Sequence, residues 1–177
     1  MSLNLAEKQA VVAEVAHVAA GAHSVIASEY RGLSVTRLTA LRVMARQQGV
    51  YLRVVKNTLA RRALQGTDFE CLQDSLVGPL ILAFSQEDPG AAARVLKDFL
   101  KDPANDKLVV KALAIGGRLL PPSELNRLAS MPTRDEAVSL LMACLRAPLD
   151  QLARTFNEIP GKLVRTLEAL RQQKAAA

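Results

Sequence analysis

Tryptophan is absent from this chain, and two tyrosines and four phenylalanines are its whole aromatic content. These six, Tyr30, Tyr51, Phe69, Phe84, Phe99 and Phe156, make no paired aromatic strand motif, so stacking on single-stranded bases is not the expected route to a nucleic acid. The two cysteines, Cys71 and Cys144, lie far apart in no metal-like spacing and read as inert thiols of a reducing compartment. The two histidines, His17 and His23, miss the i, i+4 spacing of a helical metal site. No P-loop, G-x-G-x-x-G or G-x-S-x-G pattern occurs, and carboxylates fall singly along helical patterns, so neither an enzyme nor a bound cofactor is expected. The stretch beginning Met1-Ser2-Leu3 carries no basic region ahead of an apolar one. The apolar run from Leu76 to Phe84 is too short for a bilayer and holds Gly78-Pro79, so a cytoplasmic location is expected.

What is present is apolar and basic. Half of the 177 residues are hydrophobic, enough for a packed core, and 23 Lys and Arg against 17 Asp and Glu leave a net charge of +6. The excess is local. Between residues 29 and 66, Arg31, Arg37, Arg42, Arg46, Arg53, Lys56, Arg61 and Arg62 face Glu29 alone, a balance of +7, so the rest of the chain sums to −1. A block of one sign points to a polyanion-binding face.

Periodicity divides the chain in two. Asn4 with Glu7 reads as a capping box, opening a helix to about residue 20. A short β-branched strand at 24 to 28 precedes a helix capped by Ser34, with Val35, Leu38, Leu41 and Ala45 inward, and Gly49 closes it. A strand from Val50 to Lys56 alternates, one face core and one partly exposed; Asn57 then caps a third helix to about Leu64. A short helix near Phe69 to Leu72 leads to a strand interrupted at Gly78-Pro79, expected at a sheet edge or bulge. A helix from Ala91 to Leu100, a strand from Leu108 to Ala114, a turn at Gly116-Gly117 and a short helix opened by Pro121-Pro122 follow. These elements predict an α/β domain, about four strands with packed helices, over residues 1 to 131. Residues 132 to 177 read as a helical tail.

The tail repeats. Leu141 and Leu145 recur eleven residues on as Leu152 and Phe156, and again as Leu163 and Leu167, with Leu149, Ile159 and Leu170 in a looser third column. Eleven residues make three helical turns, so the nine form one apolar seam that needs a partner. Pro148 and Pro160 lie between the repeats. Each removes a backbone donor, so kinks or breaks are expected there, with segments 134 to 147, 148 to 159 and 160 to 174.

In the basic block, a strand end feeds a helix N-terminus whose free N–H groups favour phosphate. They are joined by Arg53, Lys56, Asn57, Thr58, Arg61 and Arg62, with Arg31 in the preceding turn. With few aromatics, recognition of folded RNA through phosphates and shape is the reading.

Tyr30-Arg31-Gly32-Leu33, Val54-Val55-Lys56-Asn57-Thr58-Leu59 with Arg61-Arg62-Ala63, Val77-Gly78-Pro79, Asp88-Pro89-Gly90-Ala91-Ala92-Ala93 and Leu128-Ala129-Ser130-Met131-Pro132-Thr133 occur in order along the chain. This series resembles the bacterial ribosomal stalk-base family, large-subunit ribosomal protein ten. The resemblance implies a ribosomal location and a globular domain on large-subunit rRNA beside ribosomal protein eleven. It also implies a C-terminal helix carrying dimers of the acidic stalk protein seven/twelve, which recruit translational GTPases. Three repeats, rather than the two of shorter family members, suggest three dimers. An RNA-binding translational repressor or a ribosome-assembly factor is the alternative reading of the basic face.

Overall fold

The computed structural model describes residues 4–102, 105 and 107–176; Met1 to Leu3, on which the reading of the N-terminus partly rests, lie outside them. The chain divides after Thr133 into two compact units.

The first unit begins with α1 (Leu5–Ala20). Asn4 and Glu7 close a reciprocal capping box at its start, with Asn4 N–H donating to Glu7 Oε2 at 2.9 Å. Then come β1 (Ser24–Glu29), α2 (Val35–Gln47), β2 (Val50–Val54) and α3 (Asn57–Leu64). A 3-10 turn over Glu70–Ser75 leads into β3 (Leu80–Ser85), α4 (Ala91–Leu100), β4 (Val109–Ile115), β5 (Arg118–Leu120) and α5 (Leu125–Ala129).

The sheet has five strands rather than four, all antiparallel, in the order β2-β3-β1-β4-β5. The extra strand exists because Gly116 and Gly117 both take positive φ, 51° and 79°, the geometry of a tight hairpin that folds Arg118–Leu120 back on β4. Strand β3 lies between β2 and β1, not at an edge. The chain passes Gly78-Pro79 before pairing starts at Leu80, so proline's missing donor costs the ladder nothing.

Both faces of the sheet are covered. Val25, Ala27, Leu82 and Phe84 pack with α1, α3 and the 3-10 turn, whereas Ile26, Ala83 and Leu113 pack with α2, α4 and α5. Strand β2 therefore has core on both sides: Val50 and Leu52 face α2, and Tyr51 and Val55 face α1 and α3. The expected inward row on α2 holds at Leu41 and Ala45, which are buried; Leu38 is half-buried and Val35, in the first turn, is exposed. Strand β4 is irregular. Its register against β1 slips between Ala27 and Ser28, leaving Lys111 without an opposite residue. Val110 and Leu113 consequently share one core while Ala112 and Ala114 share the other.

The second unit is one helix, α6 (Arg134–Ala176). It runs through Pro148 and Pro160 without interruption, so the breaks expected there do not occur. Each proline withholds one helical hydrogen bond, but the turns on either side keep theirs. No described helix is long and apolar enough to cross a membrane.

Gly90 sits where α4 meets α5, and a Cβ there would stand 2.8 Å from the Leu128 carbonyl oxygen. Gly90→Ala should therefore lower stability by about 1–3 kcal/mol. Gly21→Ala, whose new Cβ would meet nothing closer than 4.0 Å at an ordinary φ of −96°, should stay within about 0.5 kcal/mol. Denaturant melts of the two variants check the pair, and equal stabilities would refute the steric account.

Candidate nucleic-acid interface

Antiparallel pairing brings three distant segments to one end of the sheet. Glu29 at the end of β1 pairs with Leu80 at the start of β3, and Val54 at the end of β2 lies opposite Ile81. Tyr30, the 54–58 segment and Gly78-Pro79 accordingly line one groove of about 370 Å³. Its polar wall is Lys56, Asn57 and Thr58 at the start of α3, and its apolar floor includes Val54, Val55 and Pro79.

The local chemistry differs from the sequence expectation at Asn57. Lys56 occupies the N-cap position, in an extended conformation with φ −63° and ψ 130°, and makes no side-chain cap. Asn57 is the first helical residue, and its Nδ2 donates to the Gly78 carbonyl at 2.9 Å instead of capping the helix. This bond ties α3 to the strand lead-in across the groove. The first turn of α3 holds no acidic residue, so the positive end of the helix and the Lys56 ammonium act together.

The seven predicted basic and polar residues divide by what they touch. Arg53 pairs with Glu14 on α1, and its Nη1 donates to the Tyr51 hydroxyl at 2.8 Å while that hydroxyl donates to Glu14 Oε1 at 2.6 Å. The Arg53 hydrogen bond, joined by that from Tyr51, holds the Glu14 carboxyl below the usual carboxylate range; burial first and the Glu14 bond second push the Tyr51 hydroxyl up. Arg61 donates from Nε to the Gln73 carbonyl at 3.2 Å and from Nη2 to the Leu76 carbonyl at 3.1 Å, capping the 3-10 turn. Arg53 and Arg61 are thus engaged within the fold, as is Asn57. Arg31, Lys56, Thr58 and Arg62 are exposed and make no side-chain hydrogen bond or ion pair among the described residues.

A second surface lies on α6. All nine seam residues, Leu141, Leu145, Leu149, Leu152, Phe156, Ile159, Leu163, Leu167 and Leu170, are exposed, from 54% at Leu170 to 72% at Leu145 and Ile159. At 3.6 residues per turn they fall within an arc of about 80°. Val138 lies in that arc and Met142 on its border, both exposed. Sequence reading missed these two because they precede or flank the eleven-residue columns; a plain helical wheel would have found them.

The profile of the Ribosomal protein L10 family matches residues 3–101, and that of the ribosomal protein uL10 C-terminal region matches residues 131–158. The chain is 66% identical over its full length to a protein of Thioalkalivibrio sulfidiphilus, covering 99% of it, that bears the name large ribosomal subunit protein uL10. Proteins of the same name from Methylococcus capsulatus and Halorhodospira halophila are 63% and 59% identical, with both chains fully covered.

The two adjacent arginines of α3 should behave differently on substitution. Arg61→Ala removes two charge-assisted bonds to backbone carbonyls and should cost about 1 kcal/mol after allowance for its exposure, whereas Arg62→Ala should change stability by less than about 0.5 kcal/mol. Thermal melts of both variants provide the comparison, and equal losses would contradict the division drawn here.

Proposed function

The chain belongs to the ribosomal protein L10 family and is a structural component of the large ribosomal subunit rather than an enzyme, and from that premise we propose what its two surfaces hold. The first unit binds large-subunit rRNA, beside ribosomal protein eleven, through the groove at the sheet end. The second carries dimers of the acidic stalk protein seven/twelve on the α6 seam, and these recruit translational GTPases.

One observation carries the RNA reading. The groove holds the exposed Lys56 at the start of α3, Arg31 follows the lining residue Tyr30 and Arg62 is exposed on α3, while neighbouring arginines are consumed by the fold. Phosphates neutralised by lysine and arginine release counterions, so such a face gives strongly salt-dependent binding. The apolar stripe of α6 supports the second reading. Side chains within one narrow arc of a single helix touch only neighbours three and four residues away, so the stripe gains burial from a partner groove of matching apolar character. Three repeats along a continuous helix fit three dimers.

Lys56→Ala with Arg62→Ala should weaken binding to deproteinised bacterial large-subunit rRNA and lower the slope of log affinity against log salt by about 2, one per lost phosphate contact. Filter binding across a salt series reads both quantities. An unchanged slope would remove these residues from the interface.

Native mass spectrometry of the assembled stalk should find six copies of the acidic protein per chain. After Leu152→Asp with Phe156→Asp the count should fall to four, because carboxylates in an apolar groove have no compensating partner. A wild-type count of four would reduce the working repeats to two.

A further inference from the structure

Two lysines outside the basic block of the sequence are brought to the same end of the sheet. Lys107 precedes β4, and its side chain lies over Gly32: a Cβ on Gly32 would stand 3.1 Å from Lys107 Cδ. Gly32 has φ +87° and follows Arg31, so the close approach sets the two cationic side chains on adjoining backbone. Lys111 reaches Glu29, with Nζ 3.0 Å from Oε2, while the other carboxylate oxygen lies 4.0 Å from where a Gly78 Cβ would be. Gly78 is itself the groove residue held by Asn57. Glu29 thus lies between Lys111 and the groove residue Gly78.

Alternation from Val109, which pairs with Glu29, places Lys111 on the Glu29 face. In a regular β4, Lys111 and Ala112 would point to opposite faces of the sheet. The register slip lets Ala112 pack into the core under α1 and α3 while Lys111 reaches Glu29, which by alternation from Val25 and Ala27 points to that same face. Strands β2 and β4 are three positions apart in the sheet, about 14 Å between their axes, so Lys56 after β2 and the lysines at β4 and its lead-in stand beside different strands.

We infer that Lys107 and Lys111 form a second phosphate-binding arm of the interface, contacting a separate stretch of RNA backbone from the one held at Lys56. This rests on the RNA-binding reading above and extends it across β1 to β4. Lys111, held by one carboxylate and with its side chain 45% exposed, exchanges Glu29 for phosphate, whereas Arg53 is fixed by both Glu14 and Tyr51. A ligand that satisfies both arms is a folded RNA that presents backbone phosphates beside both β2 and β4.

The test uses the full chain and deproteinised bacterial large-subunit rRNA. Lys107→Ala with Lys111→Ala should reduce affinity at about 0.1 M salt by ten- to a hundredfold and lower the salt slope by about 2. Added to Lys56→Ala with Arg62→Ala, the losses should combine in slope. Because Lys111→Ala also exposes the Glu29 charge, Glu29→Gln is combined with Lys111→Ala: binding should stay weakened, and full recovery would mean that Lys111 only masks a repulsive carboxylate, which would overturn its part of the arm. Lys111→Arg, which keeps the charge, should bind nearly as the parent does and guards against loss of fold at the bulge; weakening equal to that of the alanine variant would count against a phosphate contact. If the groove pair weakens binding and the β4 pair does not, the second arm fails while the RNA reading stands. If neither pair matters, both fail together.

Discussion

Strand β1 is hydrogen-bonded along both edges, to β3 and to β4, and is packed on both faces. Val25, Ile26 and Ala27 are completely buried, so a one-residue slip would turn both apolar sets to the wrong sides. That single register decides which ends of which strands meet. With Glu29 opposite Leu80 and Val109, the turns after β1 and β2 and the lead-ins to β3 and β4 share one end of the sheet. The groove is a consequence of this pairing rather than a separate structural device.

Charge at that end is sorted by hydrogen bonding. A guanidinium has five donors in a fixed fork, and where carbonyls of a turn or a carboxylate on a neighbouring helix stand within reach the fold uses them. Arg61 closes the 3-10 turn and Arg53 joins β2 to α1 through Glu14 and Tyr51. Lys56, Arg31 and Arg62 have no such partner among the described residues, and their charge is turned to solvent. Net charge counts these residues alike; only their surroundings distinguish a stitch from a contact.

Helix α6 is governed by a different constraint. Its hydrogen bonds are satisfied along its own axis except where Pro148 and Pro160 withhold a donor, so backbone bonding keeps it helical without any buried face. Its large apolar side chains are then the unsatisfied part. Burying one such side chain is worth about 1.5–3 kcal/mol, so even a few of them supply a substantial driving force for association.

The sequence by itself determined the order and kind of nearly every element, because local signals carry them: the Asn4 and Glu7 box, Gly49 beyond the end of α2, the alternation of β2, and the eleven-residue seam of α6. It also made the Lys56 segment and Gly78-Pro79 visible as motifs, though not their meeting in one groove. Tertiary structure alone decided four matters: that β3 is central, that Asn57 spends its amide on Gly78 rather than on a cap, that two arginines are internal ties, and that Lys111 is turned toward Glu29. The physical reason is common to all four. Each depends on a partner distant in the chain, 21 residues away for Asn57 and Gly78. Propensity and periodicity act within a few residues, whereas strand pairing chooses which distant donors and acceptors come within 3 Å.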